Sequence, residues 1–114
     1  MRLSKFILPS DPVCLKRYIK PALAYELEKR GLKVALERAI PAIYEDVRLE
    51  LGFRADIIVE NKVIVETKSI EAIAPVHGKI LLTYLRLTDL RLGLLINFNV
   101  ALIKDGIRRV VNDL

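Results

Sequence analysis

The chain has no tryptophan, a single cysteine and a single histidine among its 114 residues. Cys14 alone makes no internal disulfide, and no Cys/His spacing typical of a zinc site exists, so a metal ion would need oxygen ligands. Apolar runs such as Leu92–Ile96 fall far short of the roughly 18–20 residues that a membrane-spanning helix needs. The first ten residues contain no apolar segment of secretion-signal length, which predicts a cytoplasmic protein.

What the chain does contain is apolar side chains, which make up 53% of the residues against 29% charged ones. This composition excludes an intrinsically disordered protein, because so many apolar residues must be buried. The length suits one domain over residues 1–114, and two independent domains are excluded. So high an apolar fraction in a small chain also raises the hypothesis of a homodimer that covers part of the surface.

The net charge of +5 is concentrated near the start of the chain. Residues 1–20 carry five basic residues and one acidic residue, whereas the remaining 94 carry 14 basic and 13 acidic residues. A cluster of positive charge attracts phosphate backbones or acidic surfaces, so Lys16, Arg17 and Lys20 are candidate nucleic-acid-binding residues. An ordinary solvated helix face is the alternative interpretation.

Helical and extended patterns alternate along the chain. Ser10-Asp11-Pro12 is a typical helix start, and a first helix is predicted from about Pro12 to Arg30, with a kink or restart at Pro21 and a stop at Gly31. Its buried stripe is predicted to contain Leu15, Ile19, Ala22, Leu23 and Leu27.

An extended pattern follows, in which Pro41 favours an edge strand or a bulge for the run from Val34 to Ile40. Two further strands, Val47 to Val59 and Val63 to Ser69, are predicted to form a hairpin, with Asn61 in a left-handed conformation at its turn. Because apolar side chains occupy both faces of these strands, we expect them to be central in the sheet and covered on both sides.

A second helix is predicted from about Ala74 to Leu87, followed by a buried strand, Arg91–Phe98, and a short segment around residues 107–111. The residues expected to face inward on this helix are Ile80, Leu81, Tyr84, Leu85 and Leu87, and Tyr25 of the first helix is also expected in the core. The resulting fold class is α/β, with a mixed central sheet flanked by helices.

One group of polar residues in these strands could carry chemistry. With the turn centred on Asn61, Asp56 lies opposite Glu66, and Lys68 lies on the same strand face. Two adjacent carboxylates repel unless a cation lies between them, and Mg²⁺ would supply that charge while Lys68 orients water or stabilises a phosphoryl group. The alternative is that Glu66 and Lys68 are alternating polar residues on an exposed face.

The sequence around Asp56, Glu66 and Lys68 resembles that of the GxxExxY proteins of the PD-(D/E)xK nuclease-like superfamily. The segments that carry the resemblance are Gly52 to Lys68, Pro75 to His77, Leu81 to Thr88, Gly93 to Asn99 and Lys104 to Asn112. The resemblance implies a restriction-endonuclease-like αβββαβ core. It also implies that Asp56, Glu66 and the Thr67 carbonyl are metal ligands, with Mg²⁺ or substituting Mn²⁺, and that Lys68 is the catalytic lysine.

The first 20 residues depart from the family pattern. Alignment without gaps places the Gly-x-x-Glu-x-x-Tyr motif on Val13 to Ile19, where Lys16 replaces the glutamate, and Ile80 stands where the family usually has a glutamine. Lys16 could therefore offset the carboxylate charges in place of a metal. Two hypotheses stay open, namely a metal-dependent nuclease acting on DNA or RNA, and a catalytically inactive nuclease-fold protein that binds nucleic acid or a protein partner.

Overall fold

The computed structural model describes residues 12–40, 42–44, 47–49, 54–100 and 103–113. In chain order, the described elements are α1 (Pro12–Lys29), β1 (Val34–Ala39), β2 (Ala42–Tyr44), β3 (Val47–Leu49), β4 (Arg54–Val59), β5 (Val63–Lys68), α2 (Pro75–Thr88), β6 (Leu92–Asn97), a 3-10 turn (Ile103–Gly106) and β7 (Ile107–Val111). Within these ranges, neither helix combines the length and apolarity that a membrane crossing requires.

The first helix has nearly the predicted bounds, but it continues through Pro21 without the predicted restart. Burial of Ile19, Leu23 and Leu27 against the sheet offsets the hydrogen bond that proline cannot make. The helix ends at Lys29, and Gly31 follows with a φ of 85°, which lies in the left-handed region that glycine adopts without strain. The predicted Leu15 side chain is outside the described part of the chain.

The main sheet has five strands in the order β1-β4-β5-β6-β7. All neighbours are antiparallel except β5 and β6, which are parallel and connected through α2. The β4–β5 hairpin has the predicted register, since Ile57 pairs with Val65 and Val59 with Val63, and Asn61 has the predicted positive φ of 54°. These observations confirm the mixed sheet and the edge position of β1.

The run from Val47 to Val59 is divided, contrary to the prediction of one strand. Val47–Leu49 pairs with Ala42–Tyr44 in a separate two-stranded sheet, and only Arg54–Val59 joins the main sheet. The intervening sequence contains Gly52, a residue type that weakens the interior of a strand.

Two apolar layers cover the main sheet, one on each face. Ile57 and Val65 pack with α1, whereas Ile58 and Ile64 pack with α2 on the opposite face, so β4 and β5 are buried on both sides as expected. The contact with α2 is close at Gly93, where a Cβ atom would lie 2.8 Å from Leu81 Cγ. The sequence interpretation of an α/β fold with a sheet between helices is confirmed.

Some residues expected in the core are exposed. On α2, Leu81 and Leu85 are fully buried and Tyr84 is half-buried, but Ile80 is 44% exposed and Leu87 also faces solvent. The predictions for Ile80 and Leu87 were wrong because a helix that packs against one sheet buries only one stripe of side chains. Leu81 and Leu85, four residues apart, form that stripe here. On α1, Tyr25 is 69% exposed for the same reason. The homodimer stays a prediction.

Candidate active site

The candidate site begins where β4 and β5 diverge. Their backbone pairing ends at Ile57 and Val65. Beyond this pair, backbone N–H groups donate to two acidic side chains instead of to the opposite strand. The Asp56 N–H donates to Glu66 Oε1 at 3.1 Å, and the Thr67 N–H donates to Asp56 Oδ2 at 2.9 Å. The Thr67 hydroxyl also donates to Asp56 Oδ2, at 3.1 Å. Asp56 and Glu66 are therefore in contact, as the hairpin register predicts.

Glu66 is the more buried carboxyl group, with 7% of the residue exposed. Burial, and then the nearby Asp56 charge, raise the pKa of Glu66 from 4.5 to about 7. The hydrogen bond from the Asp56 backbone and the charge of Lys68 oppose this shift. Glu66 is thus poised between its neutral and charged forms near neutral pH, which is typical of carboxyl pairs at functional sites.

A lysine from α1 supplies positive charge to this pair. Lys20 Nζ lies 3.3 Å from Asp56 Oδ1 and 3.0 Å from Glu37 Oε1. Burial alone would lower the pKa of Lys20, but the hydrogen bonds and charges of Glu37 and Asp56 raise it above 10.5. The residue expected in this role was Lys16, one helical turn earlier. The side chains of Lys16 and Arg17 lie outside the described part of the chain.

A cleft of about 360 Å³ opens beside these groups. Lys20 and Asp56 form part of its wall, and Lys68 and Ser69 continue the wall beyond the end of β5. His77 of α2 also lines the cleft. The cleft therefore brings together the Asp56 carboxylate, two lysines and His77 from α1, β4, β5 and α2.

His77 has a structural role at the start of α2. Its Nδ1 accepts a hydrogen bond from the Ala74 N–H at 2.9 Å, which caps the start of α2. Because Nδ1 is an acceptor, the hydrogen of the neutral ring is on Nε2. His77 is thus a cap that also lines the cleft.

Two residues that organise the site were not anticipated. Asn97 is 2% exposed, and its side-chain amide binds both the N–H and the C=O of Ile70, fixing the segment that borders the cleft. The sequence feature that could have indicated this role is an asparagine at the end of an apolar strand.

Glu37 pairs with Lys20, and its φ of 48° accompanies a gap in the β1–β4 register between Leu36 and Arg38. No local sequence pattern marks Glu37.

The family comparison agrees with this geometry. A family described as the PD-(D/E)XK nuclease superfamily matches residues 13–110. The chain belongs to the PD-(D/E)XK nuclease superfamily. Its five-stranded mixed sheet with two helices is compatible with the restriction-endonuclease-like fold. No curated protein and no solved structure matches the chain.

Nucleases of this superfamily typically use divalent metal ions. In the described ranges, no three Asp, Glu, His or Cys side chains converge into a metal-binding cluster. The donor chemistry nevertheless suits a hard cation, because Asp56 and Glu66 offer carboxylate oxygens and Asp56 already binds the ammonium of Lys20 as a cation. The residues present therefore fit a divalent ion.

Proposed function

We propose that this domain hydrolyses phosphodiester bonds of nucleic acid with a divalent cation, Mg²⁺ or substituting Mn²⁺. The observation that carries the proposal is the contact between Asp56 and Glu66 at the diverging ends of β4 and β5, beside a cleft that Lys68 also lines. Asp56, Glu66 and the Thr67 carbonyl would hold the cation. Superfamily membership supports the nuclease class.

The bound cation would supply positive charge to the phosphate and lower the pKa of a coordinated water. The chain's own residues perform the remaining tasks. Thr67 holds the Asp56 carboxylate in place through two hydrogen bonds to Oδ2. Lys68 brings an ammonium to the cleft, where it stabilises negative charge on phosphate oxygens or orients the attacking water.

The test is cleavage of single-stranded and double-stranded DNA and RNA in Mg²⁺, Mn²⁺ or EDTA. We expect metal-dependent cleavage that falls at least about 100-fold in Asp56→Asn and Lys68→Ala, because the first variant loses a charged ligand of the cation and the second loses an ammonium beside the phosphate. Lys62→Ala is the matched control, since this lysine is exposed in the β4–β5 turn. Circular dichroism verifies that each variant folds.

Cleavage that survives both site substitutions would contradict the assignment of Asp56 and Lys68. A loss of equal size in Lys62→Ala would show that general positive charge, rather than the site lysine, is responsible.

A second candidate function is nucleic-acid binding without hydrolysis. The contact between Lys20 and Asp56 favours it, because an ammonium already neutralises one of the two acidic groups. In this case Lys16, Arg17 and Lys20 would contact phosphates, and binding would weaken steeply with salt. Salt-sensitive binding with no cleavage in Mg²⁺ or Mn²⁺ would favour this function over the first.

The narrower assignment to the GxxExxY group is also our proposal. It is supported by the sequence from Gly52 to Lys68, whose hairpin register and carboxyl contact the structure reproduces. Lys16 stands in the position of the motif glutamate in the ungapped alignment.

A further inference from the structure

We propose that Lys20 is a built-in competitor of the divalent cation, which must displace its ammonium from Asp56 in order to bind. This inference rests on the proposed function, since it concerns the same acidic pair. It adds a regulatory property: the affinity of the site for a metal ion is set by a side chain of α1 rather than by the two carboxylates alone.

The geometry around Asp56 leaves one carboxylate oxygen for a cation. Asp56 Oδ2 is occupied by the two hydrogen bonds from Thr67, so Oδ1 is the oxygen through which Asp56 can bind a cation in the cleft. Lys20 Nζ lies 3.3 Å from that oxygen. A Mg²⁺ ion binds oxygen at about 2.1 Å, so it would lie within about 5.4 Å of the ammonium. Two cations this close repel each other.

Lys20 is held in place beside Asp56 by the surrounding structure. Its ammonium is held from two strands, by Asp56 on β4 and by Glu37 on β1. Glu37 has a positive φ, which costs a non-glycine residue energy and persists where the surrounding structure compensates it. Only about a quarter of the Lys20 side chain is exposed, and Asp56 is similar, so solvent screens their attraction less than at an open surface.

Displacement from Asp56 does not leave Lys20 without a partner. The Glu37 side chain is 63% exposed and lies 3.0 Å from Nζ, so it can keep the ammonium after Asp56 is released. The arrangement therefore permits exchange between two states of the site. In one state Asp56 pairs with Lys20, and in the other Asp56 binds a divalent cation.

The experiment measures Mn²⁺ binding to the purified protein without nucleic acid, by electron paramagnetic resonance and calorimetry. We expect Lys20→Met to bind Mn²⁺ at least about fivefold more tightly than the natural protein, a difference of about 1 kcal/mol. Lys20→Arg retains the charge and is expected to stay within twofold of the natural protein. Lys29→Met is the matched control on the exposed side of α1.

A second measurement needs no substitution. In protein labelled with ¹³C-lysine, Mg²⁺ titration is expected to shift the Lys20 Cε resonance, because the ammonium changes partners, and to leave Lys29 unshifted. This readout keeps the proposal testable even where Lys20→Met fails to fold.

The outcomes separate this inference from the proposed function. Mn²⁺ binding that Asp56→Asn abolishes, but that is equally strong with Lys20 and with Met at position 20, would overturn the competition and leave the ligand assignment intact. Binding that is insensitive to Asp56→Asn, or absent from every variant, would overturn both. An unshifted Lys20 resonance at saturating Mg²⁺ would also overturn the competition.

Discussion

Ionisation of Glu66 should make the fold less stable as pH rises, which is opposite to the usual behaviour of a salt-bridged carboxylate. Its pKa of about 7 in the folded protein exceeds the ordinary value of 4.5. Between these values the folded state holds a proton that the unfolded state has released. The contribution of Glu66 to the free energy of unfolding is therefore fully present below about pH 4.5 and is lost as pH rises through 7.

The size of this effect follows from the pKa difference. Each pKa unit corresponds to about 1.4 kcal/mol, so a rise from 4.5 to about 7 corresponds to about 3 kcal/mol. Glu66→Gln removes the ionisation but keeps a side-chain oxygen that can accept the Asp56 N–H. The variant should therefore gain stability relative to the natural protein, by up to about 3 kcal/mol, as pH rises through this range.

The assay is urea denaturation followed by circular dichroism at several pH values between about 4 and 8, with EDTA present throughout. The natural protein, Glu66→Gln and Glu28→Gln are compared at each pH. The last variant removes an exposed carboxylate from α1 and serves as the control for net charge. A Glu66→Gln difference that stays constant with pH, or that changes in the opposite direction, would refute the reasoning.

Two further predictions concern the scaffold around the site, and urea denaturation measures both. Asn97→Ala should lower the free energy of unfolding by about 2 kcal/mol, because the N–H and C=O groups of Ile70 lose their hydrogen bonds to a buried side-chain amide. Unchanged stability would contradict this role. Gly93→Ala should cost about 1–3 kcal/mol because its new methyl group meets Leu81. Gly78→Ala is the matched control, because the new methyl group would meet no atom within 4 Å. This variant should stabilise α2 by about 0.5–1 kcal/mol. Equal effects at both glycines would disprove the packing argument.

The sequence by itself determined the order of the two helices and of the main-sheet strands β1, β4, β5 and β6, and the register of the β4–β5 hairpin. These features depend on residues close together in the chain. The turn at Asn61 sets which residues pair across it, and the contact of Asp56 with Glu66 follows from that register. Apolar residues on both faces of these strands likewise predicted that both strands are buried on two faces, which the layers contributed by α1 and α2 confirm.

The tertiary structure alone decided which cation reaches the acidic pair. The rotation and position of α1 on the sheet place Lys20 on Asp56, where an ungapped alignment had suggested Lys16 one turn earlier. Glu37 enters the same site from a different strand, 17 positions further along the chain from Lys20. Such contacts depend on how a helix packs against distant strands, and neither periodicity nor turn chemistry specifies that packing. The sequence alone shows that the first 20 residues are basic, but only the tertiary structure shows that Lys20 pairs with Asp56.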